Sequence, residues 1–304
     1  MPAHDAASPA LLVGLVALVA ATLRLSLPVL ITGVGATFTE LGGVVNIGLE
    51  GMMLFGAFCA AWAGITAGPV AGIVAGALAG AALAVVHAVA AVRFRVDHIV
   101  SGVAINLLAT GLVRIGSYRA FGTATTSPRV EGLPALPVPY LGDISPLVPV
   151  GFLLILVVWY VQQRTPFGLR LRACGENPLA ADTLGVNVEA MRMTGVILSG
   201  LFAGLAGSYL VVELNHVYVE GMTQGRGFVA LAAMIFGNWT PVGAALASLL
   251  FGAAEALSIQ ANVAIPYQFL EMLPYVVTLL VLAGVMRRST PPAAVGTHYT
   301  RGEE

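Results

Sequence analysis

The chain has 304 residues and a formal charge of −1, with 58% hydrophobic residues, only 10% charged, and a mean hydropathy of +0.90. Soluble domains carry roughly 25% charged residues, so a water-facing globule is excluded, and short alternating β-barrel segments are not seen. All 14 basic residues are arginine; without lysine there is no P-loop for ATP and no Schiff base.

These numbers predict one all-α, polytopic transmembrane bundle over residues 1–304, with about ten spans (8–10), some of them short or broken. The beginning, MPAHD, has no basic n-region, so residues 6–23 are expected as a retained first span. Arg24 then separates it from an apolar stretch, 25–39, broken at Pro28. Residues 51–92 contain no Asp, Glu, Lys or Arg, enough chain for two spans of about 20 residues, with Pro69 marking the break. Gly72, Gly76 and Gly80 then share one helical face, which suits close helix packing more than a sliding surface.

A short basic turn at 93–98 precedes a span running from 99 toward Arg114–Arg119. A Gly- and Pro-rich stretch, 120–143, has no helical period and suits an ordered external loop. Residues 144–163 return the chain across the membrane. Residues 193–212 form an uncharged span, and 213–226 is a polar loop. The apolar run 227–254, interrupted by GNWTPVG at 237–243, is too long for one span and too short for two. It predicts a hairpin or half-helices. A last span is expected at 265–286, containing Glu271 and Pro274 and stopped by Arg287 and Arg288, with a polar tail over 287–304. A weak repetition links 40–71 with 213–243: each runs from an acidic, Gly-rich stretch into an apolar helix and a Pro-Val turn. Repeated halves around a central site are common in transporters.

Residues 164–192 form the one charged island, with Arg164, Arg170, Arg172 and Arg192 among Glu176, Asp182 and Glu189. Such arginine-rich short loops resist translocation, so the loop is expected in the cytoplasm. On that count nine arginines lie inside and five outside, with both termini cytoplasmic. Within the island, Asn177 suits an N-cap, Pro178 the first helical position and Gly185 the residue past the end. The resulting helix of about two turns is too short to be stable alone. It is expected to present Leu179, Ala180, Ala181 and Leu184 to a partner.

Three stretches together resemble the permease subunits of ABC importers of the branched-chain amino-acid and simple-sugar class: GGVVNIGLEG at 42–51, VDHIVSGVAINLLA at 96–109 and TPFGLRLRACGENPLAADTLGV at 165–186. The first two are most similar to the nucleoside-importing branch. The resemblance covers about residues 10–287. It implies that Gly175, Asn177, Pro178, Ala180, Ala181 and Gly185 form the coupling helix that fits a separate ATPase, which would hold ATP and Mg, none being expected on this chain. It further implies a second permease chain (a paralogue or a copy), an external solute-binding protein or lipoprotein, a nucleoside or sugar as substrate, and a bacterial inner-membrane location amid lipid. No nucleic acid is expected.

Polar groups inside a membrane are costly and mark a function or a mutual partner. Asn46 and Glu50, four apart, share a helical face, and could line the path or act as a cap and interhelical bond. Asn106 lies within a span with the same two readings. Asn238 and Trp239 sit in the expected helix break, where unwound backbone could face a cavity and line the path; Trp239 could instead anchor at the interface. Glu255 and Glu271 have no obvious partner, and His87 suits a packed helix end. No catalytic triad or metal cluster is legible, and Cys59 and Cys174 give no disulfide framework. A rival reading, a proton-coupled secondary transporter using Glu50, Glu255 or Glu271, would need no docking helix.

Overall fold

The computed structural model describes residues 7–139, 142–260, 272, 276 and 290–300. Its helices are α1 (Ala7–Leu41), α2 (Leu49–Ala67), α3 (Pro69–Ala88), α4 (His98–Phe121), α5 (Leu147–Arg164), α6 (Pro166–Glu176), α7 (Pro178–Thr183), α8 (Val188–Tyr209), α9 (Arg226–Phe236) and α10 (Pro241–Gln260). Among the described residues seven helices are long and apolar enough to cross a membrane, and α9 is a shorter apolar helix. The chain is therefore a multi-pass helical membrane bundle. The span expected at 265–286 lies outside the described residues.

The stretches expected as separate segments before and after Arg24 form one helix of 35 residues. Pro28 lacks the N–H that would bond the carbonyl four residues earlier. That carbonyl, of Arg24, instead accepts the Tyr209 hydroxyl of α8 at 3.2 Å. A neighbouring helix thus satisfies what the proline frees, and α1 continues through it.

The core is the packing of α8 against α1, α2 and α3. Small residues make it possible. A Cβ on Gly80 would collide with the Gly200 carbonyl, one on Gly204 would collide with the Gly76 carbonyl, and one on Gly56 would lie 2.6 Å from the Gly204 Cα. The glycine stripe is a seam where backbones touch. Both α3 and α8 loosen into one π-helical turn at their ends, Val89–Arg93 and Leu210–Asn215.

The loop after α4 has structure of its own among the described residues. It carries a small antiparallel hairpin, β1 (Leu136–Val138) with β2 (Gly142–Ile144), pairing Leu136 with Ile144. It is also laced to the stretch after α8 by Val130 N–H to His216 O at 2.8 Å and Glu220 N–H to Thr125 O at 2.8 Å.

Candidate functional site

Two helices begin deep in the bundle and run apart. After α1 ends, residues 42–48 turn inward, with Val45 N–H donating to His98 at the start of α4 and Gly48 lying against Ile105 two turns along it. Helix α2 starts there and leads away from the Leu41 end. From the other side, residues 216–225 turn inward and α9 starts beside Glu50, where Gly227 packs on the Glu50 backbone. Helix α9 then leads toward the Leu41 end, where the Trp239 indole N–H donates to Glu40 at 3.2 Å. The two copies of the weak sequence repetition are thus antiparallel, and their helix N-termini meet.

Glu50 joins them. Its carboxylate accepts Gly225 N–H at 2.8 Å and Gly227 N–H at 2.7 Å, filling the otherwise orphaned donors of α9 with a negative charge at the positive end of the helix. Asn106 of α4 serves α2 in the same way, accepting Gly51 N–H at 2.8 Å and donating to Ile47 O at 3.1 Å. Asn46 is fully buried, donating to Ser199 Oγ at 2.8 Å and accepting Gly48 N–H at 3.0 Å. These three of the five residues expected near a path therefore hold broken backbone in place.

Glu50 and Asn106 border a cavity of about 240 Å³ between α2, α4 and residues 218–224. Leu54, Val113 and buried Tyr218 give it an apolar side; Thr110, Arg114 and Gln224 give it a polar one. Asn106 to Arg114 lie about 12 to 24 Å along α4 from its start, at 1.5 Å per residue. Burial pushes the Tyr218 phenol up to about 12, so it stays a neutral donor. The wall offers donors, acceptors, one aromatic ring and two carboxyl groups, Glu50 and Glu220, with no set of metal ligands among the described residues.

Asn238 and Trp239 occur where expected, in the break between α9 and α10. Both have left-handed backbone, φ 52° and 55°, an uncommon conformation for non-glycine residues. Trp239 is buried against Glu40 rather than anchored at a lipid interface, and neither residue borders the cavity.

The short capped helix exists as α7. The Asn177 side chain accepts Ala180 N–H at 2.9 Å, Pro178 is the first helical residue and Gly185 has φ +80°. Leu179, Ala180 and Leu184 are exposed. Ala181 is not. It is buried with Cys174, Val188 and Tyr299, because on so short a helix one face must pack on its own protein. Gly175 also faces inward, where any Cβ would collide with the Leu41 carbonyl. Burial pushes the Cys174 thiol beside it up to about 11.

Sequence reasoning missed Glu40, Arg192 and Tyr218. An acid closing an apolar run was a signal for Glu40. Arg192, expected among the loop arginines, is buried, and nothing in its neighbours set it apart.

Residues 18–283 match the family described as the permease component of branched-chain amino acid transport systems. The chain belongs to this permease family. The permease is 39% identical to the guanosine ABC transporter permease protein NupQ of Bacillus subtilis, across 94% of this chain and 97% of that one. It is 40% identical to the nucleoside ABC transporter permease protein NupC of Lactococcus lactis, with the same coverage. NupP, another guanosine ABC transporter permease protein of Bacillus subtilis, is 26% identical over 86% of this chain and 79% of its own. No solved structure matches the permease.

Proposed function

We propose that this permease carries nucleosides across the bacterial plasma membrane as one subunit of an ATP-driven importer. The observation that carries the reading is the near-full-length similarity to permeases named for guanosine and nucleosides. The cavity agrees in chemistry. An aromatic ring with carboxylate, amide and hydroxyl groups suits a planar, uncharged, hydrogen-bonding solute, and Glu50 and Asn106 are the side chains that would read it.

ATP and Mg are used on a separate ATPase, and α7 is the part that docks there, through Leu179 and Leu184. That ATPase would face the arginine-rich loop, so the loop and residues 290–300 beside it would lie in the cytoplasm; helix α1 ends there at Leu41 and, as one 35-residue helix, would begin on the opposite side rather than in the cytoplasm. An external solute-binding protein would deliver the nucleoside at the opposite face, near the loop 120–143. A second permease completes the pair; NupQ and NupP, two related guanosine permeases in one bacterium, favour a paralogue. Transport is by alternating access, with ATP shifting the balance of two states.

The test is uptake of labelled guanosine into proteoliposomes holding the permease with its ATPase, second permease and binding protein. ATP-dependent uptake competed by unlabelled guanosine and not by glucose is expected. Competition by glucose alone would reassign the substrate to sugars. Uptake by the isolated chain under a proton gradient would replace the importer with a secondary transporter.

A further inference from the structure

A polar chain end without helix or strand is ordinarily loose unless something ties it down. Residues 290–300 are tied at intervals of one to three residues. Thr290 N–H donates to the Asn238 side chain at 3.1 Å, and Ala293 N–H to Glu176 at 3.4 Å. Ala294 N–H reaches the Gly175 carbonyl at 2.8 Å and Gly296 N–H the Gly43 carbonyl at 3.0 Å. The Thr297 carbonyl accepts Nη1 of Arg192 at 2.8 Å. His298 sets its ring edge-on to His98 at 5.2 Å, and the Tyr299 ring is buried with Cys174, Ala181 and Val188 beneath α7.

The identity of these partners matters more than their number. Asn238 is the left-handed corner between α9 and α10. Gly43 opens the inward segment that leads to α2, and His98 starts α4. Gly175 and Ala181 belong to the loop and helix read above as the ATPase contact. One short segment is therefore bonded at its beginning to the helix break and at its end to the underside of α7. Arg192 strengthens the link. Its guanidinium is buried, and Nε and Nη2 have no hydrogen-bond partner among the described residues. Losing the Thr297 carbonyl would leave a buried cation with less compensation, which is costly.

We propose that residues 290–300 form a strap that transmits movement of α7 to the α9–α10 break and to residues 42–48. This rests on the reading of α7 as the ATPase contact. Movement of α7 carries Tyr299 with it, and the chain from Tyr299 back to Thr290 passes that displacement to Asn238. Packed contacts of this kind shift between discrete arrangements rather than deform gradually. The strap is thus a coupling element, distinct from the surface that binds the ATPase.

The experiment uses the assembled importer in proteoliposomes, comparing the unaltered permease, a chain ending after Ser289, and Tyr299→Ala. Three quantities are read: co-purified ATPase, ATP hydrolysis, and labelled guanosine uptake. Both variants are expected to retain the ATPase and its hydrolysis while uptake falls about tenfold, within the usual range for coupling between sites. Unchanged uptake, or loss of the ATPase from the complex, overturns the strap; the second result would make the tail a docking element. Should the shortened chain fail to insert, Tyr299→Ala decides by the same criteria. Absence of ATP-dependent guanosine uptake with the unaltered permease would instead be the failure of the nucleoside-importer reading.

Discussion

Helix α2 stands between two unlike walls. Toward α3 and α8 it meets glycine, and Gly56, Gly76, Gly80, Gly200 and Gly204 bring backbones together with almost no side chain between them. Toward α4 it meets Asn106 and a cavity, with its first turn held by side-chain hydrogen bonds. Apolar burial drives helices together poorly in lipid, so close van der Waals contact of small residues serves instead. The α4 wall uses that means only in part, at Gly51 and Gly102, because helix α2 starts there and its free N–H groups need acceptors as well. One wall is fixed by shape alone, the other by shape and hydrogen bonding, and the second borders the cavity.

The sharpest way to break the comparison is to fill the seam. Gly204→Leu would drive a side chain into the backbone of α3, where neither helix can yield locally, at a cost of about 3 kcal/mol or more. Loss of the folded monodisperse protein in detergent, read by thermal melting and gel filtration, is the expected outcome. A variant that melts like the parent would show that α3 and α8 can part without penalty.

On the α4 wall, Asn106→Ala should cost about 1–3 kcal/mol, since Gly51 N–H and Ile47 C=O lose partners. Glu50→Gln preserves shape but offers only one acceptor oxygen to the two donors of α9. It should insert normally and lower guanosine uptake more than it lowers melting temperature. An equal fall in both would make Glu50 a purely structural cap.

The smallest effect is expected at the exposed start of α4. Asp97 accepts the N–H groups of Val100 and Ile99 at 2.9 and 3.0 Å, and the Val100 bond most of all holds its carboxyl below the usual carboxylate range. A depressed folded value means that its contribution is present above the unfolded pKa and is lost as pH falls through the folded one. The melting difference between the parent and Asp97→Ala should therefore be present at pH 7 and shrink in acid below about pH 4, the ordinary carboxylate range. A difference independent of pH would remove the carboxylate charge from the explanation.

Much of this was legible from composition and spacing. The scarcity of charge predicted a membrane bundle, and the run from 227 to 254 with GNWTPVG predicted a hairpin or half-helices; its first arm is the short α9, while its second, α10, has 20 residues and is long enough to cross. The Asn177–Pro178–Gly185 pattern placed α7 within a residue or two, because capping is local chemistry. Ala181 was misjudged for the complementary reason. Which face of a short helix turns inward depends on Cys174, Val188 and a tyrosine 118 positions later. Pro28 was read as a break because the Tyr209 hydroxyl that relieves it comes from another helix.

The sequence by itself determined the solvent this protein lives in, its helical class, its capped loop helix and its family. Those follow from hydropathy, backbone capping and motif order, all of which act over a few residues or are summed over the chain. Tertiary structure alone decided that the helices α2 and α9 meet end to end through Glu50, that Arg192 is buried, and that the tail returns to grip Asn238 and α7. Each of these depends on groups distant in the chain finding one another; the half-buried Glu50 carboxylate and the buried Arg192 guanidinium need compensating partners that no local preference along the sequence supplies.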